Sequence, residues 1–127
     1  MPARPRAPRA RFTLATLHVR RFAECRAFYK DVIGLPERRA LPRAKWAEFG
    51  PARGVAIAIH ERQEGEGGRR VGGPSGLFLD VADAEKAHAA YVARGAQTSY
   101  PPARAPWGGV VFGLLDPDGN EINFTGP

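Results

Sequence analysis

The sequence contains only one cysteine, Cys25, among 127 residues. A single thiol can form neither an internal disulfide nor a multi-cysteine zinc site. We expect Cys25 to be a small core residue, and a reactive thiol is the alternative. The chain also lacks the run of roughly 18 apolar residues that a membrane span needs and the apolar N-terminal core of a signal peptide. We therefore predict a cytoplasmic protein that has no membrane partner.

Basic residues are concentrated at the N-terminus. Of the 19 Lys and Arg residues, Arg4, Arg6, Arg9 and Arg11 fall in the first 11 residues, which contain no acidic residue, and the other 15 nearly balance 13 acidic residues. Because an Ala/Arg/Pro stretch cannot form a core, we predict that residues 1–11 are a basic disordered arm. The arm lacks interleaved aromatic residues and a recognition helix, so we do not expect a nucleic-acid partner. Contact with an acidic partner is the alternative.

The rest of the chain, residues 12–127, has the composition of one globular domain, since 43% of the protein is hydrophobic and 25% is charged. In its first half, alternating residues predict a strand over residues 13–20. Apolar residues at three- and four-residue steps predict a helix over residues 21–33, which Gly34 ends. Further strands are predicted at residues 37–39, 45–49 and 55–61.

The second half repeats this order of elements. A strand is predicted over residues 76–81, and Asp83 is a suitable N-cap for a helix over residues 84–94. Gly95 is expected to end that helix. Three strands are predicted to follow, at residues 97–100, 110–115 and 121–125.

Matching residues recur at a constant spacing in the two halves. Val81 follows Val19 by 62 residues, and Tyr91 follows Tyr29 by the same interval. Such a repeat indicates a duplicated half-domain. We predict module one at residues 12–62, a glycine-rich linker at residues 63–75 and module two at residues 76–127.

Three motifs resemble a known superfamily. They are A-F-Y-K-D-V-I-G-L at residues 27–35, L-F-L-D-V-A-D at residues 77–83 and D-P-D-G-N at residues 116–120. Their order and spacing are similar to those of the vicinal oxygen chelate superfamily, which includes glyoxalase I, extradiol dioxygenases and bleomycin-resistance proteins. The resemblance covers about residues 13–125. It implies an α+β fold in which two tandem βαβββ modules form a cup-shaped curved mixed β-sheet with helices on the outer face.

The resemblance also assigns four positions to metal ligands. Metal-dependent members carry His, Glu or Gln on the first and last strand of each module, and these positions correspond here to Leu14, Ala58, Gly76 and Asn123. Three of them have no side-chain donor and the fourth is a neutral amide, whereas a catalytic divalent metal needs about three protein ligands. We therefore predict neither a metal nor another cofactor. The alternative is a displaced metal site that His18, Glu48 and His60 would form.

Aromatic residues from separate segments are expected to converge near the cup, among them Tyr100. Flat apolar walls with a few polar groups suit a small aromatic or amphipathic ligand. For Trp46 and Trp107, the alternative is that they fill a core or a dimer interface. The residues predicted to line the ligand site are His18, Trp46, Glu48, His60, Phe78, Trp107 and Asn123.

These observations favour a metal-free binding protein of the bleomycin-resistance type, which would sequester a small organic ligand as part of antibiotic resistance. We expect a homodimer, because an isolated cup would expose apolar surface. The first alternative is a metal-dependent lyase, isomerase or dioxygenase with a displaced metal. A second is a metal-free lyase or isomerase in which His60 or Glu48 is the general base.

Overall fold

The computed structural model describes residues 3–63, 65 and 70–127. Residues 3–13, which include most of the predicted arm, form neither helix nor strand. The first two residues of that arm, and residues 64 and 66–69 of the predicted linker, lie outside the described range. Among the described residues, neither helix has the length and apolar character that crossing a membrane requires.

In the part of the chain that the structure describes, each half contains one α-helix and four strands, and module one also has a short 3-10 helix at Pro42–Ala44. The elements of module one are β1 (Leu14–Val19), α1 (Phe22–Ala27), β2 (Glu37–Leu41), β3 (Trp46–Phe49) and β4 (Ala56–Glu61). The elements of module two are β5 (Gly73–Asp80), α2 (Ala84–Ala93), β6 (Gln97–Arg104), β7 (Val110–Leu115) and β8 (Asn120–Gly126). The first helix continues beyond α1 as a wider π-helical segment over Phe28–Val32, so the helix predicted over residues 21–33 is present with a change of pitch.

The two modules have the same topology. The strand order is β1-β4-β3-β2 in the first sheet and β5-β8-β7-β6 in the second. In each sheet the first strand of the module pairs in parallel with the last one, and the other pairings are antiparallel. This confirms the predicted α+β fold of two tandem βαβββ modules.

Two strands of module two extend at least three residues beyond one of their predicted ends. The strand β5 begins at Gly73, three residues before the expected start, and β6 runs to Arg104 instead of ending at Tyr100. The added residues include Pro101 and Pro102, which cannot donate to a strand ladder. However, β6 is the edge strand of its sheet, where a missing backbone donor is tolerated.

One face of each sheet packs against its helix and forms the core. Side chains on this face are buried with no exposed surface, including Val19, Ile59, Phe112 and Phe124. Cys25 lies in the same core at 0% exposure, and burial raises the pKa of its thiol, with Asp116 and Asp118 adding to the shift. Cys25 is therefore a core residue, as predicted. We call the opposite face of each sheet the cup face.

The two sheets meet within one chain at β1 and the segment before β5. His18 forms a parallel bridge with Val71, and the Asn120 side-chain amide donates to the His18 carbonyl at 3.1 Å. We call this region the seam. It brings the cup faces of the two modules beside each other.

The turn between β7 and β8 holds module two against the first helix. Oδ2 of Asp118 accepts hydrogen bonds from the backbone N–H groups of Arg20 and Arg21 at 2.6 and 2.8 Å. Burial favours the neutral form of this carboxyl, but those N–H groups and the Arg21 guanidinium outweigh it, so the pKa of Asp118 is lowered. The carboxylate thus ties the two residues directly before α1 to the other module.

Candidate ligand-binding site

On the cup face of module one, polar and aromatic side chains lie on three neighbouring strands. In register, His18 pairs with His60 across β1 and β4, and Trp46 pairs with His60 across β3 and β4. Because side chains alternate between the faces of a strand, these three residues lie opposite the buried Leu17 and Val19. The structure therefore brings together three of the predicted ligand-site residues.

The rings of these residues form a continuous row. The ring centroids of His18 and His60 are 5.9 Å apart. Those of Trp46 and His60 are 5.4 Å apart and meet edge to face. This row gives module one a flat wall that can contact an aromatic ligand and also carries imidazole nitrogen atoms.

Glu48 lies beside this row, and both of its carboxylate oxygen atoms accept hydrogen bonds. Its Oε2 accepts from the Trp46 indole N–H at 2.8 Å, and its Oε1 accepts from Arg38 Nε at 3.1 Å. The side chain is buried, with 7% exposure for the residue. The Trp46 hydrogen bond and the Arg38 guanidinium lower the pKa of Glu48. A carboxylate held in this way is a weak base, and its hydrogen bond fixes the orientation of the Trp46 indole.

Arg38 reaches Glu48 because β2 contains an irregularity between Glu37 and Arg39. The Arg38 guanidinium also donates to the Gly54 carbonyl at 2.9 Å. Arg38 was not among the residues predicted to belong to the site. The only signal in the sequence was an arginine on the strand that neighbours the strand of Glu48. The shift in register hides the contact between Arg38 and Glu48.

On the cup face of module two, two aromatic rings are open to solvent. Phe78 on β5 is 51% exposed and Trp107 in the loop before β7 is 70% exposed. Their ring centroids are 6.5 Å apart in an edge-to-face arrangement. Trp107 therefore does not fill the core of this chain, which was one alternative from the sequence.

Asn123 lies on the same face, and both the oxygen and the nitrogen atom of its side-chain amide form hydrogen bonds. Its Oδ1 accepts from the Tyr100 hydroxyl at 2.6 Å, and its Nδ2 donates to the Leu77 carbonyl at 3.0 Å. The Tyr100 ring reaches it by crossing Gly113, where a Cβ would lie 2.4 Å from Tyr100 Cε1 and 2.2 Å from Ser99 Oγ. Gly113 was not singled out from the sequence, because its role depends on the neighbouring strand.

The four positions that the resemblance assigns to metal ligands offer few side-chain donors. Leu14, Ala58 and Gly76 have no side-chain donor, and the Asn123 amide is engaged as described. Among the described residues, no group of three or more His, Cys, Asp or Glu side chains could hold a metal ion. His18, Glu48 and His60 therefore do not form the displaced site that the sequence left open.

The comparisons with known proteins identify the superfamily. The family model of the Glyoxalase/Bleomycin resistance protein/Dioxygenase superfamily matches residues 11–124. The chain therefore belongs to this superfamily. No curated protein matches the chain.

Solved structures share the fold over nearly the whole chain. A superfamily member from Sphaerobacter thermophilus DSM 20745 is 25% identical, with a TM-score of 0.79 and coverage of 93% of this chain and 98% of that one. TnmS3, an antibiotic binding protein from Streptomyces sp. CB03234, is 20% identical, with a TM-score of 0.76 and coverage of 96% and 99%. Lactoylglutathione lyase from Agrobacterium tumefaciens is 18% identical, with a TM-score of 0.72 and coverage of 94% and 96%. At such identities, TnmS3 and the lyase support the fold only.

Proposed function

We propose that this protein binds a flat aromatic or amphipathic small molecule in the cup without using a metal. The observation that carries the proposal is the pair of Phe78 and Trp107, whose rings remain 51% and 70% exposed on the cup face. Exposing aromatic rings to water is energetically unfavourable. A group of such exposed rings is typical of a binding surface. The row of Trp46, His60 and His18 provides a second wall on the neighbouring sheet.

The donor set supports binding without a metal. Leu14, Ala58 and Gly76 lack donor atoms, and Asn123 is already bonded to Tyr100. A zinc, iron or nickel site needs about three N, O or S ligands around an open position. TnmS3, which has the same fold, is described as an antibiotic binding protein, and this agrees with a role in sequestering a ligand.

The two tryptophans allow a direct test, since the chain contains no others. A thermal-shift screen of flat aromatic compounds would provide a ligand, which is then titrated against the single-tryptophan variants Trp46→Phe and Trp107→Phe. In each variant, we expect the ligand to quench the fluorescence of the one remaining tryptophan. Quenching should saturate at the same ligand concentration in both variants. The combined Phe78→Ala and Trp107→Ala change should weaken binding at least about tenfold, the effect of losing one or two aromatic anchors.

Phe12→Ala provides the matched control, because Phe12 is 91% exposed but precedes β1 and lies outside the cup face. Unchanged affinity after removal of Phe78 and Trp107 would overturn the proposal. Elemental analysis of the protein after incubation with zinc, nickel, manganese and iron tests the alternative that the protein is a metal-dependent enzyme. A stoichiometry near one metal per chain would favour a metal-dependent lyase, isomerase or dioxygenase.

We also propose that the protein is a homodimer. Leu41 is 42% exposed and Val55 is 57% exposed, in addition to the aromatic pair of the cup. A second subunit that covers Leu41 and Val55 would remove these two side chains from water and leave the aromatic pair to the ligand. Sedimentation analysis at tens of micromolar should show a dimer, and a monomer at that concentration would refute this state.

A further inference from the structure

A cavity of about 600 Å³ lies where the N-terminal arm enters module one. Its walls come from the end of the arm, the residues directly before β1, the turn between β3 and β4, and one side chain of β2. Among the described residues, the charged side chains that line it are all arginines, namely Arg9, Arg11, Arg38 and Arg53. We call it the arm cavity. It shares no lining residue with those predicted for the ligand site of the cup.

Arg38 joins the walls of the arm cavity to each other. Its Nη1 donates to the carbonyls of Pro51 and Gly54 at 3.2 and 2.9 Å, and its Nη2 donates to the Thr13 carbonyl at 3.4 Å. The Thr13 carbonyl also accepts from the backbone N–H of Ala56 at 3.0 Å. The end of the arm is therefore tied to the turn by the protein's own hydrogen bonds.

The other three guanidinium groups carry charge that the described chain does not neutralise. Arg9, Arg11 and Arg53 are exposed, and within the described chain they form no ion pair. The carboxylates of Glu37 and Glu48, on the neighbouring strands β2 and β3, are already held in ion pairs with other arginines. Like charges around one cavity repel one another, and an anion that binds among them removes this repulsion.

The sequence places no further acidic residue beside the arm cavity. Residues 1–2, which precede the described part of the arm, are Met and Pro. The linker follows β4, which begins at Ala56 next to the turn and ends at Glu61. These ends are roughly 17 Å apart along an extended strand. The linker therefore starts at the opposite end of β4 from the arm cavity.

From this arrangement we infer that the arm cavity binds a small molecule that carries a chain of phosphate groups. Guanidinium groups bind phosphate through paired, charge-assisted hydrogen bonds. Arg9 and Arg11 come from the arm and Arg53 comes from the turn. The oxygen atoms of a phosphate point in several directions, so donors from two segments can share one group, whereas the two oxygen atoms of a carboxylate lie in one plane.

The size of the arm cavity favours a small ligand. A volume of about 600 Å³ is within the range of small-molecule sites. Three guanidinium groups without acidic partners match a ligand with several negative charges. This inference is independent of the proposed function of the cup, because the two sites have no lining residue in common.

Tripolyphosphate is the probe, and citrate is the comparison anion with several carboxylates. Both are titrated calorimetrically, at constant pH and salt, into the full-length wild type, the Arg53→Gln variant and the double variant Arg9→Gln/Arg11→Gln. The matched control is Arg4→Gln/Arg6→Gln, which removes the same charge from the same arm but does not alter a lining residue. All of these side chains are exposed, and an unchanged melting temperature without ligand verifies that each variant is folded.

We expect one tripolyphosphate to bind per chain, more tightly than citrate and less tightly as salt is added. Arg53→Gln and Arg9→Gln/Arg11→Gln should each weaken the affinity at least about tenfold, the effect of losing a charge-assisted hydrogen bond. Arg53→Lys should retain part of the affinity, because lysine keeps the charge but not the paired geometry. The control Arg4→Gln/Arg6→Gln should stay within about twofold of the wild type, because charges that do not contact the ligand are screened by salt.

Four results would overturn the inference. Two are the absence of saturable tripolyphosphate binding and citrate binding that is equally tight. The third is an equal loss of affinity in the Arg4→Gln/Arg6→Gln control, which would indicate a diffuse effect of the charge on the arm. The fourth concerns a short single-stranded oligonucleotide titrated in parallel. Tighter binding of this strand, with a dependence on Arg4 and Arg6 as well, would assign the arm to a nucleic-acid backbone instead.

Discussion

The hydroxyl of Tyr29 in module one donates to Oδ2 of Asp116 in module two, at 2.9 Å. The other oxygen atom of Asp116 accepts from the backbone N–H groups of Asp118 and Asn120, both at 2.9 Å. One buried carboxylate therefore closes the turn before β8 and also ties that turn to the first helix. Because a buried carboxylate is costly without partners, the two modules stabilise each other through this contact.

Replacing Tyr29 with Phe should lower the free energy of unfolding by about 1 kcal/mol, since one buried hydrogen bond is lost while Asp116 keeps its other donors. The matched control is Tyr91→Phe at the equivalent position of module two. The ring of Tyr91 packs on Phe112 and Phe124 and is partly exposed, so its hydroxyl should matter by less than about 0.5 kcal/mol. Urea unfolding of both variants measures the difference, and equal losses would contradict this account.

Acid should destabilise the protein partly through Asp118. The pKa of Asp118 is lowered in the folded state, so its carboxylate stabilises the fold above the ordinary aspartate value of about 4, and this contribution disappears as pH falls through the folded-state pKa. Asp118→Asn should cost about 1–3 kcal/mol at pH 7 and flatten the loss of stability as the pH falls below about 4. Asp80→Asn changes an exposed carboxylate and should keep the wild-type profile.

A methyl group at residue 113 should be poorly tolerated. Gly113→Ala places a Cβ within 2.4 Å of the Tyr100 ring, so we expect a loss of about 1–3 kcal/mol from overpacking. If the clash is the cause, the same change should cost much less when Ser99 and Tyr100 are already alanine. A double-mutant cycle measured by chemical unfolding tests this coupling. Additive losses would assign the cost to another source.

Cys25 should be chemically inert in the folded protein. Its residue is 0% exposed and the pKa of its thiol is raised, whereas a reactive cysteine needs access and thiolate character. We expect a disulfide reagent to label it only at the rate at which the chain opens, and to label one thiol per chain immediately in denaturant. Rapid labelling of the native protein would show that the first helix opens readily.

Local patterns predicted most of the fold. Alternation identified β1 and β4, and three- and four-residue steps identified the first helix, because the burial of one face imposes these periods. The 62-residue repeat predicted the second module from the first. The continuation of β6 through Pro101 and Pro102 could not be predicted, since tolerance of proline depends on which strand is at the sheet edge.

The sequence indicated which residues could belong to the candidate site, but not how they pair. Trp46, His60 and His18 were predicted to line one ligand site. That Glu48 is bonded to Arg38 could not be seen, since it depends on a shift in register. The structural role of Asp118 was similarly hidden, because its partners Arg20 and Arg21 are almost a hundred residues away.

The backbone at Gly76 limits how this cup could acquire a metal, whether in the laboratory or during evolution. A Cβ there would meet no atom of the described residues within 4 Å, so a first side-chain carbon has space. Its φ of 74°, however, lies in the left-handed region, which costs a non-glycine residue about 1–3 kcal/mol. A first histidine would therefore be harmful before further ligands made it useful. The first step from this cup to a metalloenzyme would consequently destabilise the protein unless the backbone of β5 changed beforehand.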